Sequence, residues 1–300
     1  MDIDAVLTQM RDLGLLVDSI DTSGKLVRVP VTYPRADKGK KKSGWYVVHE
    51  FRLSSGGIGL AGSFGNYKID EKRKVGMPAG SLSEEDRKEY QRRRKQAQEK
   101  ARKEQEAAAK ECREKAQRIW SKLPVEGPSK YLAAKGVAPF GLRFSRGSVV
   151  VPVYKPVTCD GPQLFALDLV SLQWISPEGE KTFLTGTPKE GSFHWLCDIP
   201  GSDSQVVIVI VEGYATGASV HMATGLPVAV AFDSGNLVPV AKAIRHFCPS
   251  AVICIAGDED KETEERIGKN PGRLKAEEAA KAVNGVWVVP EFAGAADGTN

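Results

Sequence analysis

The sequence predicts an α/β fold. A parallel sheet fills the carboxyl-terminal third, preceded by a mixed α+β segment, a long helix and a small β-rich module. Three observations predict it. Short apolar runs rich in Val and Ile, at 206–211, 227–232, 251–256 and 286–289, alternate with helical stretches at 215–224, 237–247 and from Pro271 onward. None of these runs is broken by polar alternation, which marks strands buried on both faces, as in a parallel sheet between helix layers. Two of the runs stop at acidic residues, Glu212-Gly213 and Gly257-Asp258-Glu259-Asp260. In such sheets the chemistry sits outside the carboxyl ends of the strands. The expected divisions are 1–80, 81–123, 124–200 and 201–300.

The chain of 300 residues has room for about two domains, each with its own core. A net charge of +4 is mild, so the distribution of charge says more than its sum. The five cysteines, at 112, 159, 197, 248 and 254, form no Cys-x-x-Cys pair. His49, His194, His221 and His246 are not spaced as their co-ligands, which argues against a zinc ribbon or finger; no zinc is expected. The odd cysteine count and the lack of a signal peptide point to a reducing cytoplasm. No apolar stretch reaches the length of a membrane span, so no membrane partner is expected. No Gly-x₄-Gly-Lys-Ser/Thr occurs, which leaves no sign of a P-loop ATPase or helicase in these residues.

From the start of the chain, residues 2–17 read as a helix with Val6, Leu7, Met10, Leu13 and Leu16 on one face. From Lys25 to Ile69 the pattern turns to strands, punctuated by glycines at 56, 57, 59, 62 and 65. Between two of these strands lies the basic loop RADKGKKK, which includes Lys40, Lys41 and Lys42. It is either a solvated hairpin tip or an arm that contacts phosphate. Trp45, Tyr46, Phe64 and Tyr67 are either core aromatics or base-stacking surfaces. Residues 82–123 form one long polar helix by composition, with Ser83 as N-cap and Pro124 as the stop. Ala and Gln fill most candidate seam positions, so no coiled coil is expected. The rod either spaces two domains or tracks nucleic acid along a basic side. Residues 128–142 read as a short helix and turn, and 149–154, 164–171 and 182–184 as strands.

Carboxylates gathered on one sheet edge repel one another unless something neutralises them. A hard divalent cation does so, and Mg²⁺ takes few protein carboxylates plus phosphate oxygens. One acidic residue at a strand end is ordinary solvated charge. Glu-Gly after one buried run and Gly-Asp-x-Asp after another is a pattern, and it makes Glu212, Asp258 and Asp260 the candidate metal and catalytic residues.

The segment EGYATGASVHMATGLPVAVAFDSGNLVPVAKAIR, followed by IAGDED, resembles the Toprim domain of plasmid- and phage-type DNA primases. Upstream, RVPV, GWYVVH and GSFGNY resemble the zinc-free amino-terminal module of those primases, unlike the zinc ribbon of DnaG-type enzymes. Tyr131-Leu132 with Lys135-Gly136, Arg143-Phe144 with Arg146, Val151-Pro152-Val153, and the stretch from Ser171 through Lys181-Thr182-Phe183-Leu184 resemble the basic core of DnaG-type primases. The resemblance implies a Rossmann-like Toprim sheet preceded by a basic primase-core subdomain. It implies that Arg143, Arg146 and Lys181 line a ridge beside the metals and cradle template or triphosphate. The implied activity is that of a nucleotidyltransferase: a DNA primase that makes short primers on single-stranded DNA with Mg²⁺ or Mn²⁺ during plasmid, phage or mobile-element replication. Asp258 and Asp260 would bind metal, and Glu212 would either complete the shell or act as general base.

The implied partners are single-stranded template and nucleoside triphosphates, with a replicative helicase or a further carboxyl-terminal domain beyond them. In the resembling family a short acidic element follows the last strand. Here the chain ends at Asn300 without it, so a shortened or abbreviated relative is expected. Two rival readings remain. A Toprim nuclease uses similar carboxylates to hydrolyse phosphodiesters, and a non-catalytic accessory keeps the fold and only binds single-stranded nucleic acid.

Overall fold

The structure is a computed structural model that describes residues 3–39, 41–52, 57–69, 71–75, 83–158, 165–197, 206–258 and 270–290. The chain divides into two units, 1–104 and 105–300.

The first unit opens with α1 (Ile3–Asp12), shorter than the periodicity predicts. Gly14 adopts a positive φ of 79°, and Leu15 then bridges to Val31, so the chain leaves the helix there. A four-stranded antiparallel sheet follows, in the order β1 (Val27–Val29), β2 (Gly44–Arg52), β3 (Ile58–Asn66), β4 (Glu71–Val75). Val6, Leu7 and Met10 of α1 pack on Tyr46, Val48, Leu60 and Phe64 from one face of that sheet. Tyr46 and Phe64 are therefore core residues, 3% and 0% exposed, and of the four candidate stacking aromatics only Trp45 and Tyr67 reach the surface. The basic loop is pinned from inside by Asp37. Its carboxylate accepts from the Val31 and Ser43 amides and the Ser43 hydroxyl, and pairs with Lys68 at 2.8 Å. Burial opposes its ionisation, but these donors together hold the carboxyl well below the usual range.

α2 (Glu84–Trp120) begins in the first unit and ends in the second. It is followed by α3 (Lys130–Lys135), whose N-cap Ser129 accepts from the Leu132 amide and whose C-cap Gly136 sits in the left-handed region. An antiparallel sheet comes next, in the order β5 (Arg143–Ser145), β6 (Ser148–Thr158), β7 (Phe165–Ile175), β8 (Lys181–Phe183). β7 runs unbroken through Ser171-Leu172-Gln173-Trp174-Ile175, and the hairpin comes only after it. Period-two alternation gives this sheet two buried faces. Val150 and Leu172 face Ala116, Ile119 and Trp120 at the end of α2. Val149, Val151 and Ile175 face the other way, into the largest core of the unit.

That core is shared with a five-stranded sheet of β9 (His194–Trp195), β10 (Val207–Val211), β11 (Val228–Val230), β12 (Val252–Ala256) and β13 (Val286–Val288). The order is β13-β12-β10-β11-β9, parallel except for β9, which runs antiparallel to β11 at the edge. Val209 and Val211 meet α4 (Tyr214–Thr224) and the antiparallel sheet on one face. Ile208, Ile210, Ile253 and Ile255 meet α5 (Leu237–Phe247) and α6 (Pro271–Ala282) on the other. This two-sided burial is why the strands read as unbroken Val/Ile runs.

The seam between the two sheets holds a polar network. The Tyr214 hydroxyl donates to the Ala138 carbonyl at 2.8 Å and accepts from the Phe140 amide at 2.7 Å. His194 is fully buried, and its Nε2 donates to the Phe140 carbonyl at 3.0 Å, which leaves Nδ1 as the acceptor nitrogen. Among the described residues Nδ1 has no hydrogen-bond partner. Burial pushes His194 down to about 4, outweighing the opposing pull of the Phe140 carbonyl. The folded chain therefore resists protonating a group that the unfolded chain protonates near pH 6.5, so stability falls as pH drops from there toward 4. Denaturant unfolding at pH 7 and pH 4 should show His194→Phe losing less stability than wild type, by on the order of 3 kcal/mol. Equal losses in the two proteins would mean that His194 does not control this dependence.

Candidate active site

In the five-stranded sheet the chain leaves β10 toward β11 on one side and later enters β12 on the other. The order of strands therefore reverses between β10 and β12, and such a switch point leaves a crevice outside the carboxyl ends. The two strands pair in parallel with Val211 opposite Ala256. Glu212 follows Val211 directly, and Asp258 follows Ala256 by two residues. The two residues thus follow neighbouring strand ends about 4.8 Å apart, one on each side of the crevice. Glu212 is half-buried and Asp258 is exposed.

Two glycines set the far lip. A Cβ on Gly257 would lie 2.7 Å from the Cβ of Ala276, and one on Gly272 would lie 2.2 Å from the Asp258 carbonyl oxygen. The first turn of α6 is thereby pressed against the backbone that presents Asp258. Asn270 caps that turn, its side chain accepting from the Arg273 amide at 3.1 Å. Reading the sequence, Pro271-Gly272 marks only a helix start; its contact with Asp258 depends on the pairing of distant strands.

The antiparallel sheet reaches the same edge from the side. Lys181 and Phe183 share one face of β8, and the Phe183 ring meets Phe232 edge-on, with centroids 5.4 Å apart. Phe232 lies just past the end of β11 with a φ of 73°, a conformation that a bulky residue adopts only when its surroundings hold it. Lys189 pairs with Asp233 beside them. Buried Asn236 ties the same region together, donating to the carbonyls of Ser192 and Ala231 and accepting from the Gly191 amide. The Lys181 ammonium comes within 3.4 Å of the position a Cβ on Gly213 would take. A cation therefore stands against the Glu212-Gly213 corner.

The other candidate residues are placed as follows. Arg146 is exposed at the tip of the β5–β6 hairpin, where it and Gly147 both have positive φ, 49° and 81°. Ser148 begins β6 just past that turn, and Val149, Ile175 and Lys181 are successive partners across β6, β7 and β8, so the hairpin tip and Lys181 share one end of the sheet. Arg143 is held at the end of α2. Its guanidinium lies 4.7 Å over the Trp120 ring and donates to the Trp120 carbonyl and, at 3.2 Å, to that of Leu123. The Trp120 carbonyl also accepts from the Leu123 amide at 3.2 Å, and a cation there suits the negative end of the helix dipole. Lys41 and Lys42 are exposed in the first unit. Asp260 and Lys40 lie outside the described residues. Among the described residues, no three His, Cys, Asp or Glu side chains come together as a metal cluster. Glu212 and Asp258 offer hard oxygen donors after adjacent strand ends, of the kind that hold divalent cations.

A family description, "Toprim domain", matches residues 207–297, which run from β10 past β13. Residues 207–297 form a Toprim domain. Two curated relatives, both named "DNA primase TraC" from Escherichia coli, extend the likeness upstream. One is 34% identical over 272 residues, 86% of this chain and 23% of that protein. The other is 38% identical over 185 residues, 59% of this chain and 12% of that protein. The chain thus spans about a quarter or less of the relatives it matches, and it is related to the TraC-type primases. No solved structure matches it significantly.

The close contact at Gly272 makes a direct expectation for the Toprim domain. Gly272→Ala should lower the unfolding free energy by about 1–3 kcal/mol, because the new methyl must displace either α6 or the Asp258 backbone. Chemical denaturation measures this, and an unchanged midpoint and slope would show that α6 moves aside freely.

Proposed function

We propose that this chain is the catalytic core of a DNA primase, a nucleotidyltransferase that joins nucleotides on a single-stranded DNA template. The observation that supports the reading is the parallel register of β10 and β12 at the switch point, after whose ends Glu212 and Asp258 follow, with the Lys181 ammonium against Gly213. It sits in a chain related to proteins named DNA primase.

The reaction forms a bond between the 3′-oxygen of one nucleotide and the α-phosphorus of the next. The α–β phosphoanhydride bond breaks, pyrophosphate leaves, and the 3′-hydroxyl gives up its proton. Bound Mg²⁺ or Mn²⁺ would lower the hydroxyl's pKa and neutralise charge on the leaving group. Glu212 and Asp258 would hold the metal from the two lips of the crevice, with Asp260 as the third carboxylate. Glu212 would either complete the metal's ligands or take up the hydroxyl proton, and metal affinity in Glu212→Gln separates the two roles. Lys181 would donate to a triphosphate or template oxygen at the same corner, as a compact charge with three donors. Arg146, at the same end of its sheet, would extend that cationic edge toward the template. Arg143 would serve by fixing the end of α2 to β5. Cys112, Cys248 and Cys254 are thiols, in keeping with the reducing compartment proposed for this chain. Among the described residues no helix is long and apolar enough to cross a membrane.

Incubation with single-stranded DNA, four ribonucleotides and Mg²⁺ or Mn²⁺ tests the reading. New short oligonucleotides are expected. Shortened DNA would make the chain a nuclease, and retention without either product would make it a binding accessory. Glu212→Gln and Asp258→Asn should each reduce synthesis by about 10²-fold or more, the usual effect of losing a group that stabilises transition-state charge. Lys181→Ala should raise the nucleotide or template concentration for half-maximal synthesis about tenfold, the scale of one charge-assisted hydrogen bond. Its Mg²⁺ requirement should stay at the wild-type value. A shifted metal requirement with unchanged substrate dependence would place Lys181 in support of the metal ligands.

A further inference from the structure

The four-stranded sheet of the first unit packs only one face on α1. Strand register puts the opposite face on Trp45 of β2, with Arg28 beside it on β1 and Gly65 and then Lys72 on its other side. Lys74 lies on the same face one pair further along β4. No Asp or Glu occupies a position of this parity on the four strands. The alternate positions carry the core, including Tyr46, Val48 and Phe64.

The aromatic groups on this face form a platform. A Cβ on Gly65 would fall 2.7 Å from the Trp45 indole nitrogen, so the glycine lets the indole lie across its strand. Tyr67, just past the end of β3 and 55% exposed, stands with its ring centroid 6.0 Å from that of Trp45. Arg28 lies 4.5 Å over the Tyr67 ring, and Lys72 lies 5.5 Å over the Trp45 ring. Two rings are thus flanked by cations that are themselves exposed.

We propose that this face binds single-stranded DNA, with bases stacked on Trp45 and Tyr67 and phosphates held by Arg28, Lys72 and Lys74. The charge complementarity is one-sided: cations and no carboxylates, on a surface that also offers π-faces. Sequence-tolerant single-strand binding uses this combination of stacking rings and a positive track. Exposed side chains over the rings can swing to phosphate, and a guanidinium plane such as that of Arg28 also stacks on a base. The row from Arg28 to Lys72 crosses four strands, about 14 Å. That is room for two or three bases, as on other four-stranded sheets that bind single-stranded nucleic acid. The proposal rests on the primase reading and deepens it, since it assigns the template a holding point in the first unit as well.

The test uses the full chain. A dye-labelled oligothymidylate gives affinity by anisotropy, and a bromodeoxyuridine-substituted oligonucleotide, photocrosslinked and mapped by mass spectrometry, gives location. Crosslinks at Trp45 or Tyr67 are expected. Tyr67→Ala should weaken binding about tenfold, the scale of one lost stacking contact. The double variant Lys72→Ala with Lys74→Ala should reduce the salt slope of binding by about 1.4, from about 0.7 per phosphate contact on a single strand. Tyr67, Lys72 and Lys74 are surface residues, so their variants remain informative if Trp45→Ala fails to fold. Crosslinks confined to other residues, with wild-type affinity in these variants, would overturn the proposal and reassign the face to another partner such as a protein. Failure of the primase reading looks different: crosslinks at Trp45 or Tyr67 with no oligonucleotide synthesis by the wild type.

Discussion

The parallel pairing of β10 with β12 is the constraint on which the second unit depends. It brings together two strand ends that α4, β11 and α5 separate in the chain, and it fixes their register so that Val211 meets Ala256. Everything around it keeps that pairing dry on both faces. Ile208 and Ile210 are sealed by α5 and α6, and Val209 and Val211 by α4 and the antiparallel sheet. A slip of one residue would move every side chain to the opposite face, so the register is specified by the whole core at once. Glu212 and Asp258 inherit their placement from apolar packing beneath them.

The close contacts show how tightly that inheritance is enforced. Gly217 of α4 leaves no room for a side chain, since a Cβ there would meet Val211 at 2.9 Å and Val230 at 3.1 Å. Gly257 and Gly272 do the same for α6 on the other lip. Helices lie against the strand ends at backbone distance on both sides of the crevice. The neighbouring sheet is joined to the same edge by Phe183 on Phe232 and by the ion pair of Lys189 with Asp233. Cation and carboxylates are therefore positioned by separate elements that meet through packed rings.

Much of this was legible in the sequence because the second unit writes its strands as unbroken Val/Ile runs. The expected strands and helices from 206 to 289 match the observed elements to within a residue or two. Helix 237–247 matches at both ends. What the sequence withheld were relations between distant residues. Arg143 is expected on a nucleic-acid ridge with Arg146, and only the fold shows it at the carbonyls of Trp120 and Leu123. His194 carries no local sign of burial, because its environment is made by Tyr154 and Tyr214 from two other elements and by Phe140 from the loop before β5. In the first unit, Trp45 and Tyr46 are neighbours of like composition, and which of them faces solvent follows from the register against β3 and α1. α1 ends short of its periodicity because Gly14 turns the chain, while Leu16 keeps the helical spacing beyond that turn.

α2 is one continuous helix living in two environments. From Cys112 onward its side chains enter the second unit: Cys112 donates to the Ser171 hydroxyl, Ala116 is fully buried, Arg113 pairs with Asp168, and Arg143 closes the end. Over residues 98–108 every side chain faces water, supported by ion pairs such as Lys103 with Glu99. Pairs of this kind add only a few tenths of a kcal/mol each and weaken with salt. Local opening free energies are therefore unequal along the rod. Its amide protons will exchange with solvent quickly in the wet turns and slowly in the clamped ones, in a gradient of protection within a single helix.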